Sequence, residues 1–194
     1  MEKYIIETPR LGLRRLTEAD LDNLCLILQD AQAMYAYEHA FSDGEVREWL
    51  DKQLSRYEKY GFGLWAVELR ESGEFVGQCG LTMQETPEGE RLEVGYLFRR
   101  DRWRRGYATE AAAACTEYAF STLGAEEVCS IIRDNNLPSR AVAERNGFTP
   151  ESGFTKHYYG VDMPHIVYVS AAGAENLPLP LTKGRGSGYN VCGS

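Results

Sequence analysis

The 194-residue sequence lacks the features that mark exported, membrane-spanning or metal-binding proteins. No apolar run approaches the ~20 residues that a helix needs to cross a bilayer. The N-terminal segment MEKYIIETPR contains no apolar signal core. The five cysteines are odd in number and scattered, without the CxxC spacing of a zinc site. We therefore expect a cytoplasmic protein with reduced thiols, no metal and no membrane partner.

An excess of positive charge is also absent. The chain has 21 lysines and arginines against 29 aspartates and glutamates, which gives a formal net charge of −8. This charge argues against nucleic acid as the main ligand, because DNA- and RNA-binding domains usually present a basic surface. An acidic surface would suit a cationic partner such as an amine or a basic protein. An ordinary solvated surface explains the same composition at least as well.

The rest of the composition is typical of a folded domain. Hydrophobic residues make up 43% of the chain and aromatic residues 11%, enough for one well-formed core and too much for intrinsic disorder. From about Ala174 the composition changes to proline, glycine and serine, in ENLPLPLTKGRGSGYNVCGS. We therefore predict a single domain over residues 1–173 and a C-terminal tail over residues 174–194.

Hydrophobic periodicity predicts a mixed α/β order along the chain. The segment YIIETPRLGLRRL alternates apolar and polar residues after Pro9 and is predicted to form a strand. Two helices follow, one capped by Thr17 and one running from Ser42 to Gly61. Three strands then form a meander: LWAVELR, EFVGQCGLTMQ and RLEVGYLF. A helix ending at Gly124, the strand EEVCSIIR, a short helix ending at Gly147 and two strands complete the order. One β-α-β crossover in this order predicts one parallel strand pair.

The segment RRDRWRRGYATEAAAAC, at that crossover, has the composition of an anion-binding site. Its arginines stand directly before an alanine-rich helix, whose first turn exposes unpaired N–H groups and the positive end of the helix dipole. Gly106 and Ala108 are small enough to let a diphosphate approach the backbone closely. The pattern is neither GxGxxG nor a P-loop. The arginines are Arg99, Arg100, Arg102, Arg104 and Arg105.

This segment resembles the pyrophosphate-binding motif of the GNAT superfamily of N-acetyltransferases. In that motif a Gln or Arg, two residues, a Gly, one residue and a Gly or Ala bind the diphosphate of coenzyme A. Trp103 stands at the first position, and Arg104 at one often held by glycine, where it would narrow the turn or add a phosphate contact. Trp followed by GYATEA is typical of the RimJ/RimL-like branch, the ribosomal-protein N-terminal acetyltransferases and their relatives. Three further segments resemble that branch in the right order: TPRLGLRRLTEADLDNL, FGLWAVELRESGEFVGQCGL and DNNLPSRAVAERNGF.

The resemblance implies the GNAT acyl-CoA N-acyltransferase fold for residues 1–173. That fold has a central, mostly antiparallel sheet of about seven strands, with one parallel pair splayed at the coenzyme site and about four flanking helices. The resemblance also implies an N-acetyltransferase that uses acetyl-CoA as cosubstrate and works by direct attack of a primary amine on the thioester. The acceptor would be a protein N-terminus or a small-molecule amine, and the protein would be a monomer or a homodimer.

The resemblance further implies the residues that contact the coenzyme. The pantetheine would lie in a gap between the strands EVGYLF and VCSIIR. Backbone groups of Tyr96, Leu97 and Phe98 would bind its amides, and the amide near Phe98 would polarise the thioester carbonyl. The remaining coenzyme contacts would come from Arg104, Arg105, Gly106, Tyr107, Ala108, Thr109 and Asn136. Asn136 is equally a residue that caps a helix N-terminus well.

Glu93 and Ser139 are the candidate catalytic residues. Glu93 lies on the strand beside the pantetheine and would act as the general base, since few residue types other than Glu, Asp or His do this near neutral pH. Its alternative role is an ion pair with Arg91 or another cation. Ser139 would protonate the departing thiolate, or would simply cap or pack, because Ala143 replaces the tyrosine acid that is common in the superfamily.

Several nearby residues are second-line candidates for the acceptor side. Tyr158 and Tyr159 are alternative acids, and His157 and His165 are expected to be structural or to line the substrate site. The remaining second-line candidates, for binding a cationic acceptor, are Glu38 and His39. A different class of function also stays open, namely an acyl-CoA-binding sensor or interaction module that keeps the fold without catalysis. A nucleic-acid-binding module that uses the arginines is disfavoured by the overall charge.

Overall fold

The structure is a computed structural model that describes residues 3–173 of the chain. The predicted C-terminal tail, residues 174–194, lies outside the described residues. The strands are β1 (Ile6–Glu7), β2 (Leu11–Arg15), β3 (Leu64–Leu69), β4 (Phe75–Thr86), β5 (Gly89–Phe98), β6 (Glu127–Arg133), β7 (Thr149–Tyr158) and β8 (Val161–Ala171). The α-helices are α1 (Leu21–Leu28), α2 (Asp43–Tyr60), α3 (Tyr107–Ser121) and α4 (Leu137–Arg145).

The segment predicted as one N-terminal strand forms two strands, β1 and β2, which pair as an antiparallel hairpin. Pro9 has no N–H to donate and fixes its own φ, which favours a turn at this point. The Thr8 N–H donates to the Leu11 carbonyl at 2.9 Å, and the Leu11 N–H donates to Thr8 Oγ1, also at 2.9 Å. The sheet therefore has eight strands where about seven were expected.

The predicted helix boundaries follow local capping signals. Helix α2 begins after Ser42, whose side chain and that of Glu45 form a reciprocal capping box, and it ends at Gly61 with φ +81°. Helix α1 is shorter than predicted. A capping box between Thr17 and Asp20 is present, but residues Glu18–Asp20 form a 3-10 turn before the α-helix.

All eight strands form one sheet in the order β1-β2-β3-β4-β5-β6-β8-β7. Every neighbouring pair is antiparallel except β5 and β6, which confirms the prediction of one parallel pair. The pairing of β5 with β6 is limited to Glu93 opposite Cys129. Beyond this point the two strands separate, so the sheet opens in its middle.

Helices cover both faces of the sheet. Trp49 of α2 donates a hydrogen bond to Gln78 of β4, and the Sγ atom of the next residue, Cys79, lies 3.5 Å from the Sγ atom of Cys115 of α3. Because successive residues of a strand point to opposite faces, α2 and α3 pack on opposite sides. In the range 3–173, no helix has the length and apolar character needed to cross a membrane.

Candidate active site

Two cavities meet where β5 and β6 separate. The first, about 800 Å³ in volume, lies at the start of α3 between residues 102–110 and α4, and is called here the α3 cavity. The second, about 370 Å³, lies between α2, β5, β6 and the β7–β8 turn, and is called the α2 cavity. The residues that line both are Ala33, Tyr96, Leu97, Asn136 and Ser139. The opening in the sheet therefore connects one face with the other.

The start of α3 presents unpaired backbone donors to the α3 cavity. The first helical hydrogen bond runs from the Glu110 N–H to the Gly106 carbonyl, and no side chain caps this helix. The N–H groups of Tyr107, Ala108 and Thr109 therefore have no partner within the helix. Arg104 and Gly106 both have left-handed backbone conformations, with φ of +61° and +78°. Alternating left-handed residues turn successive N–H groups into a concave anion-binding surface.

The five arginines before α3 fall into two groups. Three of them make ion pairs: Arg99 with Glu74 and Asp101, Arg100 with Asp30, and Arg102 with Glu74 and Asp101. In the part of the chain that the structure describes, Arg104 and Arg105 make no ion pair, and both line the α3 cavity. The positive charge available to an anion in this cavity therefore comes from the last two arginines of the loop and from Arg145 of α4, which also lines the cavity and makes no ion pair within residues 3–173.

Arg10 also contributes to this site, and sequence reasoning missed it. Its Nε donates to Glu110 Oε2 at 2.6 Å, its Nη1 donates to the Arg105 carbonyl at 2.9 Å, and its guanidinium lies 4.8 Å from the centre of the Tyr107 ring. Glu110 is buried and also accepts a hydrogen bond from Thr8 Oγ1 at 2.6 Å. The β1–β2 turn is thereby fixed to the start of α3.

The backbone of β5 also offers donors to the opening in the sheet. The Arg99 N–H donates to the Val76 carbonyl, and hydrogen-bonded and non-hydrogen-bonded pairs alternate along an antiparallel ladder. The N–H groups of Tyr96 and Phe98 therefore point away from β4, toward β6. The N–H of Leu97 points toward β4, so Leu97 contributes its side chain, which lines both cavities.

Glu93 lies at the point where β5 and β6 separate, and its side chain lines the α2 cavity. Its Oε1 accepts a hydrogen bond from the Ile131 N–H at 3.3 Å, and its Oε2 accepts one from Thr82 Oγ1 at 3.1 Å. Burial raises the pKa of Glu93 above the ordinary range, and Lys156 and Arg56 oppose this shift only partly. Such a carboxylate is a stronger base than an exposed one.

The alternative pairing of Glu93 with Arg91 is wrong. Arg91 makes ion pairs with Glu127 of the neighbouring strand β6 at 3.1 Å and with Glu151 of the edge strand β7 at 2.6 Å. Glu93 makes no ion pair with any of the residues that the structure describes, so its carboxylate is free to accept a proton from a molecule in the α2 cavity.

Tyr96 and Ser139 lie together on the other side of the opening. The Tyr96 hydroxyl donates to the Ser139 carbonyl at 2.9 Å. Burial raises the pKa of Tyr96, so this hydroxyl keeps its proton at neutral pH. Ala143 of α4 is buried and non-titratable. The sequence assigned only a backbone role to Tyr96, because nothing local indicates where its hydroxyl lies.

Asn136 is the N-cap of α4 and also borders both cavities. Its Oδ1 accepts hydrogen bonds from the Ser139 N–H at 3.2 Å and from the Tyr35 hydroxyl at 2.7 Å. The capping role considered for Asn136 is therefore confirmed. Its position between the cavities leaves the side-chain amide group near the same opening.

The second-line candidates surround the α2 cavity unevenly. Tyr158 and Tyr159 line it from the β7–β8 turn, and His165 lines it while its Nδ1 hydrogen-bonds to the Met163 carbonyl. Burial lowers the pKa of His165, which keeps the ring neutral.

The other second-line candidates are paired with residues of the protein. His157 is exposed and pairs with Asp162. Glu38 pairs with Arg133, and His39 pairs with Glu45. Within residues 3–173, no three His, Cys, Asp or Glu side chains are placed to hold a metal ion.

Comparison with known proteins places the whole arrangement in one family. The uncharacterized protein YkkB of Bacillus subtilis is 35% identical over 146 residues, which cover 75% of this chain and 85% of the relative. An acetyltransferase structure from Agrobacterium tumefaciens is 28% identical, with a TM-score of 0.72 over 85% of this chain and 92% of that one. The coenzyme A complex of RimL, a ribosomal L7/L12 alpha-N-protein acetyltransferase, shares the fold at 18% identity, with a TM-score of 0.69 over 84% and 95% of the chains.

The family model described as an acetyltransferase (GNAT) domain matches residues 10–149. This match begins at Arg10, includes Glu93 and the whole start of α3, and ends after α4. It therefore spans the α3 cavity, the opening, and the α2 cavity except for its wall from β7 and β8. It also covers well over half of the 194 residues. We conclude that this chain belongs to the GNAT family of acetyltransferases.

Proposed function

We propose that this protein is an acetyl-CoA-dependent N-acetyltransferase of the RimJ/RimL-like branch. It transfers an acetyl group to a primary amine, either a protein N-terminus or a small molecule. The observation that supports this proposal is the junction of the two cavities, with an anion-binding helix start on one side and, on the other, a half-buried carboxylate that has no ion pair within residues 3–173. GNAT acetyltransferases use acetyl-CoA, and the α3 cavity has the donors and the size that this cosubstrate needs.

Different groups in and beside the α3 cavity bind different parts of acetyl-CoA. The backbone N–H groups of residues 106–109 bind the diphosphate, and the side chains of Arg104 and Arg105 add positive charge. The N–H groups of Tyr96 and Phe98 bind the pantetheine amides and polarise the thioester carbonyl. Asn136 lines the same cavity and provides the remaining contact with the coenzyme.

Bound acetyl-CoA supplies the thioester, which the acceptor amine attacks directly. Glu93 accepts a proton from the ammonium group of the acceptor, directly or through a water molecule, so that the amine becomes nucleophilic. Ser139, with the protonated Tyr96 hydroxyl beside it, gives a proton to the thiolate as the C–S bond breaks. Ser139 recovers a proton, directly or through water, from the attacking nitrogen, which loses its second proton as it becomes an amide. Holding both substrates at one opening supplies much of the rate, up to ~7–11 kcal/mol in favourable cases.

Two features that supported a non-catalytic sensor have explanations in this mechanism. Arg104 adopts the left-handed backbone that glycine usually provides, so the anion-binding turn is formed without glycine. Tyr96 and Ser139 provide hydroxyl groups at the opening, although α4 has Ala143 in the common acid position. The same hypothesis includes a cytoplasmic location and a monomeric or homodimeric state, which stay predictions.

The first test is thermal unfolding with and without acetyl-CoA, with ATP and NAD as phosphate-containing controls. A ligand at 100 times its dissociation constant adds ~2.7 kcal/mol to the free energy of unfolding. For a domain of this size that increase corresponds to a rise in Tm of roughly 5–10 °C. We expect this rise with acetyl-CoA alone, followed by amine-dependent thiol release. Equal rises with ATP would make the α3 cavity a general anion site, and binding without thiol release for any amine would favour the sensor.

A further inference from the structure

The α2 cavity has a local charge opposite to that of the whole chain. The chain has a formal net charge of −8, yet one carboxylate, that of Glu93, lines this cavity together with four cations. The cations are Lys52, Arg56, Arg133 and Lys156. The cations come from α2, β6 and β7, which are distant in sequence. The folded chain therefore brings positive charge together here from three elements.

Among residues 3–173, a carboxylate partner is present for one of these cations. Arg133 pairs with Glu38. Lys52, Arg56 and Lys156 make no ion pair within the described range 3–173. Arg56 Nη1 donates to the neutral Gln53 Oε1 at 3.2 Å, and the Lys156 ammonium lies 5.5 Å from the centre of the Phe154 ring.

The three unpaired cations also act on one another. Burial lowers the pKa of Lys52, and the nearby charges of Arg56 and Lys156 lower it further. Glu93 is the single carboxylate among the described residues that line this cavity, so its one negative charge does not balance three cations. His165, which lies on the same wall, is neutral. Like charges gathered in a cleft attract a counterion and raise its local concentration.

We propose that the acceptor is a small primary amine that also has a negatively charged group, such as a carboxylate or a phosphate. This inference rests on the proposed function and identifies the substrate class of the same site. The amine lies at Glu93, and the anionic group is bound by Lys52, Arg56 and Lys156. A purely cationic amine, such as a polyamine, is repelled by the same three side chains.

The size of the cavity supports a small acceptor. A volume of about 370 Å³ is at the lower end of the range for small-molecule sites. Tyr37, Tyr158 and Tyr159 line the same space and offer aromatic surface and hydroxyl groups to the rest of the molecule. An amine of amino-acid size, with its two charged ends held apart, is consistent with these walls.

The test compares matched amines at saturating acetyl-CoA, with thiol release as the readout. The pairs are L-serine with L-serinamide, L-glutamate with its diamide, and phosphoethanolamine with ethanolamine; spermidine and a neutral peptide complete the panel. The kcat/KM values are compared per unprotonated amine, because amidation lowers the pKa of an α-amine. We expect the anionic member of at least one pair to have a kcat/KM higher by about 10- to 100-fold, the effect of one or two charge contacts in a partly solvated site.

Variants then connect the preference to the cations. The double variant Lys52→Gln/Lys156→Gln is expected to raise KM for the preferred anionic amine about 10-fold and to reduce its advantage over the neutral partner. Lys59→Gln provides the matched control, because Lys59 is an exposed lysine on the same helix and does not line the cavity. The control is expected to keep the wild-type preference.

Each contrary result has a distinct meaning. A preference for the neutral members or for spermidine overturns the inference and leaves the proposed function intact. Acetylation of the peptide alone also overturns the inference and leaves the proposed function intact. If acetyl-CoA raises the Tm but no amine is acetylated, both the inference and the proposed catalysis are wrong. If acetyl-CoA does not bind, the proposed function has failed at the donor side, before any acceptor is considered.

Discussion

Replacing Glu93 by glutamine tests the centre of the proposed mechanism. Glutamine has the same shape as glutamate and stays next to both hydrogen-bonding partners of Glu93. Its carbonyl accepts from the Ile131 N–H, and its amide group lies near Thr82 Oγ1. The change removes the negative charge and, with it, the ability to accept a proton. General-base catalysis typically contributes 10²–10⁴-fold to a rate. We therefore expect Glu93→Gln to lower kcat by about 100-fold or more while acetyl-CoA binds normally.

The same substitution has a predicted effect on stability, with a sign that follows from the pKa. Burial raises the pKa of Glu93 in the folded protein. Between the unfolded and folded pKa values the folded state therefore binds more protons, and the free energy of unfolding falls as pH rises. Above the folded pKa the charged carboxylate costs stability, and glutamine removes that cost. We expect Glu93→Gln to have a Tm at pH 8 equal to or above that of the wild type. The difference disappears below about pH 4, where both states of the wild type are protonated.

The assays are thiol release at saturating acetyl-CoA between pH 6 and pH 9, and thermal unfolding of the same samples. In the wild type, kcat/KM is expected to fall as pH falls through the raised pKa of Glu93, because only the carboxylate accepts a proton. Glu90→Gln is the control, since Glu90 is an exposed carboxylate on the same strand. A Glu93→Gln variant with more than a tenth of the wild-type kcat would refute the assignment of the base. A lower Tm at pH 8 would refute the argument from burial.

Three further predictions concern the α3 side of the opening. Arg104→Gly removes the cost of ~1–2 kcal/mol of a left-handed backbone at a residue with a side chain, but it adds chain entropy to the unfolded state. The Tm without ligand is therefore expected to change little. Calorimetry should show that acetyl-CoA binds about 10-fold more weakly, because a phosphate contact is lost. Glu110→Ala leaves the donors of Thr8 and Arg10 without their buried acceptor. We expect a loss of about 2–3 kcal/mol and a fall in Tm of roughly 5–10 °C, less than for a fully buried pair because Arg10 is half exposed. Tyr96→Phe should lower kcat about 10-fold with little change in acetyl-CoA affinity; an unchanged kcat would remove Tyr96 from the proton path.

The features that the sequence predicted well depend on short-range signals. Three such signals each lie within a short stretch of sequence and can be recognised there: the Ser42 and Glu45 capping box, the left-handed Gly61 and the arginine-rich segment before α3. The parallel strand pair followed from element order and the handedness of crossovers. The division of the N-terminal strand was missed, because the alternating pattern after Pro9 was extended to the residues before it and the turn at Thr8 and Pro9 was overlooked.

The features that the sequence could not predict join distant residues. Arg10 and Glu110 are 100 positions apart, and each is ordinary by itself: one is a basic residue near a strand, the other an acid in the first turn of a helix. The same applies to Lys52 and Lys156, which only the fold brings to one cavity. Nothing local indicated that Tyr96, expected to act through its backbone, has its hydroxyl beside Ser139.

Ion pairing separates the structural cations of this chain from those available to ligands. Arg99, Arg100 and Arg102 have carboxylate partners, whereas Arg104 and Arg105 have none in the described part and line the α3 cavity. The α2 cavity follows the same rule, with the paired Arg133 beside unpaired lysines.

The net charge of −8 therefore describes the surface as a whole and conceals two positive sites, one on each side of Glu93. If both substrates are anionic, each is attracted to its own group of cations, and their negative charges are kept apart while the amine and the thioester meet at the opening. Salt screens such attraction, so a rise in ionic strength should raise the KM of both substrates.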